Sequence, residues 1–312
     1  MREKVLITGG AGYIGSMLST KLVQLGYQVT VLDNLTYNKN SLSHLNRKKN
    51  FKLIIGSVLN KKIFKLLVQK NDIIIPLAGL VGAPLCDKKP KLARAINLDS
   101  IKYLKKIAKK NHKILFATTN SGYGVGKKNK FCTEKSKLNP VSLYGITKVK
   151  AEKEIMKFKN SVSFRLATVF GNSFRMRTDL LVNNFVWEAL IKKKLILYEP
   201  NFRRNYIHVK DIVKVFVFTL KNFEIMRSKI YNVGLSSANL TKLELAQKIK
   251  KIVKNLKIEI NNDKSDPDKR DYFVSNKKIE KIGFRADHTL NFGIRELIKI
   301  YKFKKFKILN NY

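Results

Sequence analysis

The segment Gly9-Gly10-Ala11-Gly12-Tyr13-Ile14-Gly15 follows an apolar run, Val5-Leu6-Ile7-Thr8, and a second apolar run, Val29-Thr30-Val31-Leu32, closes on Asp33. A strand, a glycine loop and a helix in that order let the chain turn tightly and bring backbone N–H groups and a helix N-terminus against a pyrophosphate. A carboxylate ending the second strand accepts hydrogen bonds from adenosine ribose hydroxyls and repels a 2′-phosphate. The pattern predicts a dinucleotide site that favours NAD over NADP, with Gly9, Gly12 and Gly15 in the loop and Asp33 at the ribose. Its spacing is G-x-x-G-x-x-G, one residue away from the commoner G-x-G-x-x-G form.

Apolar runs at 4–8, 28–32, 51–55, 72–77, 113–118 and 161–166 alternate with longer stretches of helical periodicity. Alternation of this kind predicts an α/β fold, a doubly wound parallel sheet of the Rossmann type, whose ligand crevice lies at the carboxyl ends of the strands. Beyond Gly171 the pattern is irregular: a helix from about Leu180 to Lys192, an aromatic and arginine segment from Phe202 to His208, and a helix from Asp211 to Leu220. Lys229 to Val233 reads as a strand rejoining the sheet, Thr241 and Glu244 are spaced as a capping box, and the remainder reads as short elements. The division expected is an NAD-binding domain over 1–170, with 208–235 returning to it, and a smaller substrate-binding lobe over 171–207 and 236–312. No linker rich in Pro, Gly or Ser separates the two, so they are expected to fold together.

A chain of 312 residues buries enough surface for a sizeable core without staples. Its longest apolar stretches fall well short of the roughly 18 residues of a membrane span, and the chain runs straight into a strand without a leader pattern, so a cytoplasmic protein is expected. Cys86 and Cys132 show no metal-ligand spacing and are expected to be free thiols, and the four histidines are not paired at helical spacing. No metal is expected. The net charge of +42 raises nucleic-acid binding as a class, but the lysines are spread through nearly every helix rather than gathered into a stripe with stacking aromatics. A solvated basic surface is therefore expected, with neither nucleic acid nor membrane as partner; the tail Lys302-Phe303-Lys304-Lys305-Phe306-Lys307 reads as a frayed basic end.

Tyr144-Gly145-Ile146-Thr147-Lys148 sets a phenol and an ammonium four residues apart, on one face of a helix introduced by Pro140. A phenol that works as a base near neutrality must have its pKa lowered by roughly 3, a differential stabilisation of about 4 kcal/mol. Lys148 and the nicotinamide ring are the cations expected to do so, and Thr119, at a strand end, supplies a hydroxyl partner. Together they are suited to moving a proton off a sugar hydroxyl while the cofactor takes hydride from its carbon.

The ordered set T-G-G-A-G-Y-I-G from Thr8, L-A-G from Leu77, Asn97, T-T-N-S-G-Y-G from Thr118, N-P-V-S-L-Y-G-I-T-K from Asn139, R-L-A-T-V-F-G from Arg165, R-N-Y-I-H-V-K-D from Arg204 and Y-N-V-G from Tyr231 resembles the extended short-chain dehydrogenase/reductase family. These are the NAD-dependent sugar-nucleotide epimerases and dehydratases, and the likeness runs over nearly all of the chain. It implies Tyr144 as base, Lys148 as its pKa-lowering and ribose-binding partner, Thr119 as the bridging hydroxyl and Asn97 as a brace for Lys148. It also implies that Tyr13, Ile14, Asn34, Ser57, Val58, Leu77, Ala78 and Gly79 line the cofactor. Arg204 and Arg270 would grip the nucleotide diphosphate, and Asn120, Ser121 and Thr168 would face the sugar.

Departures from the family pattern narrow the chemistry. Gly56-Ser57-Val58 offers a serine where many relatives hold the adenine with an aspartate, and Thr168 stands in the usual asparagine position. Asn120-Ser121 replaces the Asp-Glu pair of the 4,6-dehydratases, which disfavours elimination of water. Within the family, the runs L-V-G-A-P-L-C, T-N-S-G-Y-G, R-N-Y-I-H-V and D-P-D-K-R-D-Y resemble enzymes that oxidise GDP-D-glycero-manno-heptose at C4. The expectation is NAD-dependent oxidation at C4 of a nucleotide-activated sugar, GDP-manno-heptose or a UDP-hexose, by a 4-dehydrogenase or 4-epimerase. The alternatives are a 4,6-dehydratase, a 4-keto reductase and a noncatalytic NAD-binding regulator. The likeness further implies a homodimer built on the helices near 92–110 and 143–159.

Overall fold

The computed structural model describes residues 3–37, 40–127, 130–261 and 270–303. The strands are β1 Lys4–Thr8, β2 Gln28–Asp33, β3 Phe51–Ile55, β4 Ile73–Pro76, β5 Lys113–Thr119, β6 Phe131–Cys132 and β7 Ser161–Leu166, followed by β8 Thr168–Phe170, β9 Lys194–Leu197, β10 Arg203–His208, β11 Lys229–Val233, β12 Asn239–Thr241, β13 Lys257–Ile260 and β14 Phe273–Val274. The α-helices are α1 Tyr13–Gln24, α2 Lys61–Gln69, α3 Ala83–Lys88, α4 Pro90–Arg94, α5 Ser100–Ile107 and α6 Leu143–Ile155. They continue with α7 Leu181–Ile191, α8 Val209–Lys221, α9 Phe223–Met226, α10 Lys242–Ile252, α11 Lys277–Lys281 and α12 Leu290–Phe303. Among the described residues no helix is long and apolar enough to cross a membrane.

Seven parallel strands form the main sheet in the order β11-β7-β5-β4-β1-β2-β3. Strand order reverses between β1 and β4, and the glycine loop sits at the carboxyl end of β1, which is where an open α/β sheet holds its ligand. Apolar residues fill both faces because side chains alternate along a strand. Val5 and Ile7 of β1, Ile73 and Ile75 of β4 and Leu115 of β5 pack with Leu18 of α1 and Phe216 of α8. Leu6, Ile74, Ile114 and Phe116 point the other way, onto Phe64 of α2, Leu104 of α5 and Ile155 of α6. The strand expected at 229–233 is β11, hydrogen-bonded to β7 at the sheet edge.

A separate apolar cluster joins Phe170, Val186 and Ala189 of α7, Tyr206 of β10, Leu245 and Ile249 of α10, and Ile294 and Leu297 of α12. β10 is the seam between the two regions: it pairs with β8, directly after the main sheet, and with β12. Thr241 caps α10 in the expected reciprocal arrangement with Glu244. The C-terminal region departs from the short elements expected, since α12 runs for 14 residues. Its Leu290, Gly293, Ile294, Leu297 and Tyr301 form an inward stripe at helical spacing, which the intervening lysines obscure in the sequence. The basic tail beyond Phe303 and the first four residues of D-P-D-K-R-D-Y lie outside the described residues.

Candidate active site

The glycine loop is shaped by what a side chain would strike. Gly9 has a φ of 70°, and a Cβ on it would lie 2.6 Å from the Ala78 backbone nitrogen; a Cβ on Gly15 would lie 2.3 Å from the Gly9 carbonyl oxygen. Glycine at 15 therefore lets α1 start directly over the loop, and glycine at 9 lets β1 pass beside the Leu77-Ala78 turn. Asp33, at the end of β2, accepts hydrogen bonds from the backbone N–H of Ala11 at 2.9 Å and of Leu35 at 2.8 Å. Burial raises its pKa, and these amides work against that rise.

From the loop a cavity of about 830 Å³ runs across the strand ends. It is lined at one end by Asp33, Asn34, Ser57 and Val58, in the middle by Leu77, Ala78, Gly79, Thr119, Tyr144 and Lys148, and beyond them by Ser121, Thr168, Arg204 and Arg270. Residues dispersed over most of the chain thus line one cavity. Ser142 caps α6 by accepting from the Gly145 N–H at 3.2 Å, which fixes Tyr144 in the first turn. Thr119 Oγ1 lies 2.8 Å from Ser121 Oγ and also accepts the Ser121 N–H. The Arg270 guanidinium donates to the same Ser121 hydroxyl.

Burial pushes the Tyr144 phenol up to about 12, with the Cys86 thiol adding to the rise; Arg270 and Arg177 pull it down. The cations that favour the phenolate most are thus two arginines of the cavity wall. The Lys148 ammonium lies 4.3 Å from the centroid of the Phe116 ring. Burial lowers its pKa to about 8, against the pull of Glu152 one turn further along α6. Glu152 is buried and engaged by Arg165, whose Nη2 donates to it at 2.7 Å, and by the Ser163 hydroxyl.

Two expected roles need correction. Asn97, in a short π-helical segment over Ala95–Asp99, does not brace Lys148: its Oδ1 accepts the Leu80 N–H at 2.9 Å and its Nδ2 donates to the Leu80 carbonyl at 2.9 Å. It pins the loop after β4, because the two backbone groups of Leu80 present the matching acceptor and donor to one carboxamide. Asn120 does not line the cavity either; it is 1% exposed, with neither side-chain atom hydrogen-bonded. The 3₁₀ turn Asn120–Tyr123 carries it inward and leaves Ser121 at the wall. Tyr13 lines the cavity, but its hydroxyl is used to donate to the Gly171 carbonyl at 2.6 Å.

The structure adds polar wall residues that the sequence did not single out: Arg175, Arg177, Asp179 and Lys242. Arg177 is forked onto Asp179 through Nε and Nη2, and Lys242 Nζ donates to the Tyr198 carbonyl. The only signal for the first three is the spacing R-x-R-x-D, faint in a chain with 64 lysines and arginines.

A Rossmann sheet with this loop, this carboxylate and a Tyr-x-x-x-Lys helix on one cavity defines a dinucleotide-dependent enzyme. Residues 5–234 match the model of the NAD dependent epimerase/dehydratase family, and the chain belongs to that family. A dTDP-D-glucose 4,6-dehydratase of Dictyostelium discoideum is 29% identical over 269 residues, 79% of this chain and 61% of that protein, so the chain spans less than two thirds of this relative. Among solved structures, a dTDP-glucose 4,6-dehydratase of Bacillus anthracis in complex with NAD superposes with a TM-score of 0.83 at 22% identity, covering 97% of each chain. A UDP-glucose 4-epimerase of Thermotoga maritima with UDP-glucose gives 0.83 at 23% identity, covering 96% of this chain and 98% of that one. The cofactor of the family is NAD, and the cradle left by Gly9 and Gly15 beside Asp33 fits it.

Proposed function

We propose that the protein oxidises C4 of a nucleotide-activated sugar, with Tyr144 as the base. One observation carries this reading: Tyr144, Thr119 and Lys148 line the same cavity as the glycine loop and Ala78. NAD bound along the loop supplies the hydride acceptor. Tyr144 takes the proton from the sugar hydroxyl, and Thr119, tied to Ser121, orients that hydroxyl. Arg270 supplies positive charge toward the phenolate, and Lys148 lines the same cavity as a second cation. Arg204 and Arg270 hold the diphosphate, and the region over 171–207 and 236–312 serves as the substrate-binding lobe. A 4-keto sugar that leaves makes the enzyme a 4-dehydrogenase; one reduced again on its other face makes it a 4-epimerase.

The dehydratase names among the relatives favour a second reading, elimination across C5 and C6. Against it, the carboxylates at the described cavity wall are Asp33, held by backbone amides, and Asp179, held by Arg177. Ser121 stands where an acid or base for the elimination would be needed. Sequence runs around Leu80, Thr119, Arg204 and Arg270 favour GDP-D-glycero-manno-heptose as the sugar nucleotide, with a UDP-hexose as its rival. A panel of GDP-, UDP-, CDP- and dTDP-sugars, followed by mass spectrometry and by the near-ultraviolet absorbance of reduced cofactor, separates these outcomes. Loss of water from the sugar overturns the C4-only reading; no change in any sugar overturns both. Tyr144→Phe is expected to abolish turnover while NAD stays bound, and a fully active variant would remove Tyr144 from its role. The homodimer expected on the 92–110 and 143–159 helices is checked by light scattering.

A further inference from the structure

Arg175 is 4% exposed and lines the cavity, yet its guanidinium makes no hydrogen bond or ion pair among the described residues. Its guanidinium carbon lies 4.8 Å from the centroid of the Tyr37 ring. A buried guanidinium with unused donors is costly unless an anion meets it. Burial, followed by the like charge of Arg177, lowers its pKa to about 10. Arg177 is already matched by Asp179, so of this pair Arg175 is the one whose donors are unused among the described residues.

The loop that carries Arg175 shows which anion is meant. It is tied onto the first turn of α1: Tyr13 donates to the Gly171 carbonyl at 2.6 Å, Ser173 Oγ donates to the Tyr13 carbonyl at 2.7 Å and lies 3.2 Å from Ser16 Oγ. Phe174, the residue before Arg175, stacks on His44 at 4.2 Å. Arg175 is close enough to Asp33 for each to feel the other's charge. Its position is therefore fixed relative to the glycine loop and the ribose carboxylate.

We propose that Arg175, backed by the face of Tyr37, is an anion clamp that grips the pyrophosphate of the bound dinucleotide from across the cavity, opposite the α1 N-terminus. The proposal rests on the family's use of NAD and not on which sugar is oxidised. The α1 N-terminus offers partial positive charge from one side; Arg175 adds a full charge and two parallel donors from the other. Retention of NAD is thereby linked to the seating of the 171–175 loop.

The test compares wild type with Arg175→Gln, Arg175→Lys and Tyr37→Ala, using calorimetric titration of dialysed protein with ADP-ribose, adenosine and GDP, and measuring NAD retained through gel filtration at low and high salt. Arg175→Gln is expected to weaken ADP-ribose by roughly tenfold or more, the value of a charge-assisted hydrogen bond, and to leave adenosine and GDP unchanged. Arg175→Lys and Tyr37→Ala are expected to fall between. Wild type should shed NAD faster at high salt, and Arg175→Gln should lose part of that salt dependence. Without cofactor, Arg175→Gln should melt at or above the wild-type temperature, because an uncompensated buried charge has been removed; a merely structural arginine would lower it. Unchanged ADP-ribose affinity overturns the proposal, as does a loss confined to GDP, which would assign Arg175 to the sugar nucleotide. A protein that turns over no sugar but binds ADP-ribose through Arg175 leaves the clamp intact and removes only the C4 reading.

Discussion

Replacing Phe116 by leucine isolates the environment of Lys148. Phe116 is fully buried on β5, and its ring lies against the Lys148 ammonium, at 4.3 Å. A desolvated cation over a ring gains about 1–2 kcal/mol. Burial alone pushes the lysine toward the neutral amine, and its pKa stands at about 8. The ring favours the charged form, so its loss favours the amine. At about 1.4 kcal/mol per tenfold change in the proton equilibrium, the lysine should then lose its proton about one pH unit lower.

If the ammonium is needed for turnover, the alkaline limb of kcat/KM follows the same equilibrium. Measured on an active sugar nucleotide with NAD bound, that limb should move from near pH 8 toward acid in Phe116→Leu, by about one unit. The acid limb should stay in place. Leucine also leaves a void between α6 and the sheet, costing about 1–3 kcal/mol of stability. Urea denaturation at one pH measures that cost separately. A variant that is destabilised but keeps its alkaline limb refutes the argument, and would show the ring as packing only.

Gly15→Ala should empty the cofactor site: its new Cβ would stand 2.3 Å from the Gly9 carbonyl oxygen, backbone that cannot give way. Purified variant protein should carry no NAD, and a normal NAD content would contradict this loop geometry. Glu296→Gln probes the latch between α12 and the β10–α8 corner. Burial raises the Glu296 pKa, but hydrogen bonds from His208 Nε2, Lys210 Nζ and the Asn172 N–H outweigh it and bring the group down to about 2. A depressed carboxyl contributes stability that is fully present above its unfolded pKa and is lost as pH falls toward 2. The ionised form contributes at most about 3 kcal/mol at neutral pH, so urea midpoints of wild type and variant should differ at pH 7 and converge in acid. A gap that is constant with pH would show that charge is not what Glu296 contributes.

The contrast between what sequence revealed and what it hid follows from the range of each interaction. Strand alternation, the glycine loop, the carboxylate at Asp33 and the four-residue step from Tyr144 to Lys148 are local regularities. Any fold that satisfies backbone hydrogen bonds must express them as periodicity. The role of Asn97 is not legible because a carboxamide's partner is chosen by tertiary geometry: the π segment turns it to both backbone groups of Leu80, 17 residues away, and on α6 it reaches the Thr147 hydroxyl at 3.5 Å instead of Lys148. Asn120 and Ser121 are adjacent, and a single 3₁₀ turn decides which of them meets the cavity. Arg175 was invisible for the opposite reason. Nothing about an arginine in so basic a chain distinguishes it until three hydrogen bonds from Tyr13, Ser16 and Ser173 fold its loop over the N-terminus of α1. Function in this cavity therefore divides between two kinds of positive charge: the helix end that the glycines expose, which is written in the sequence, and the guanidinium brought to face it, which exists only once the second region of the chain has docked.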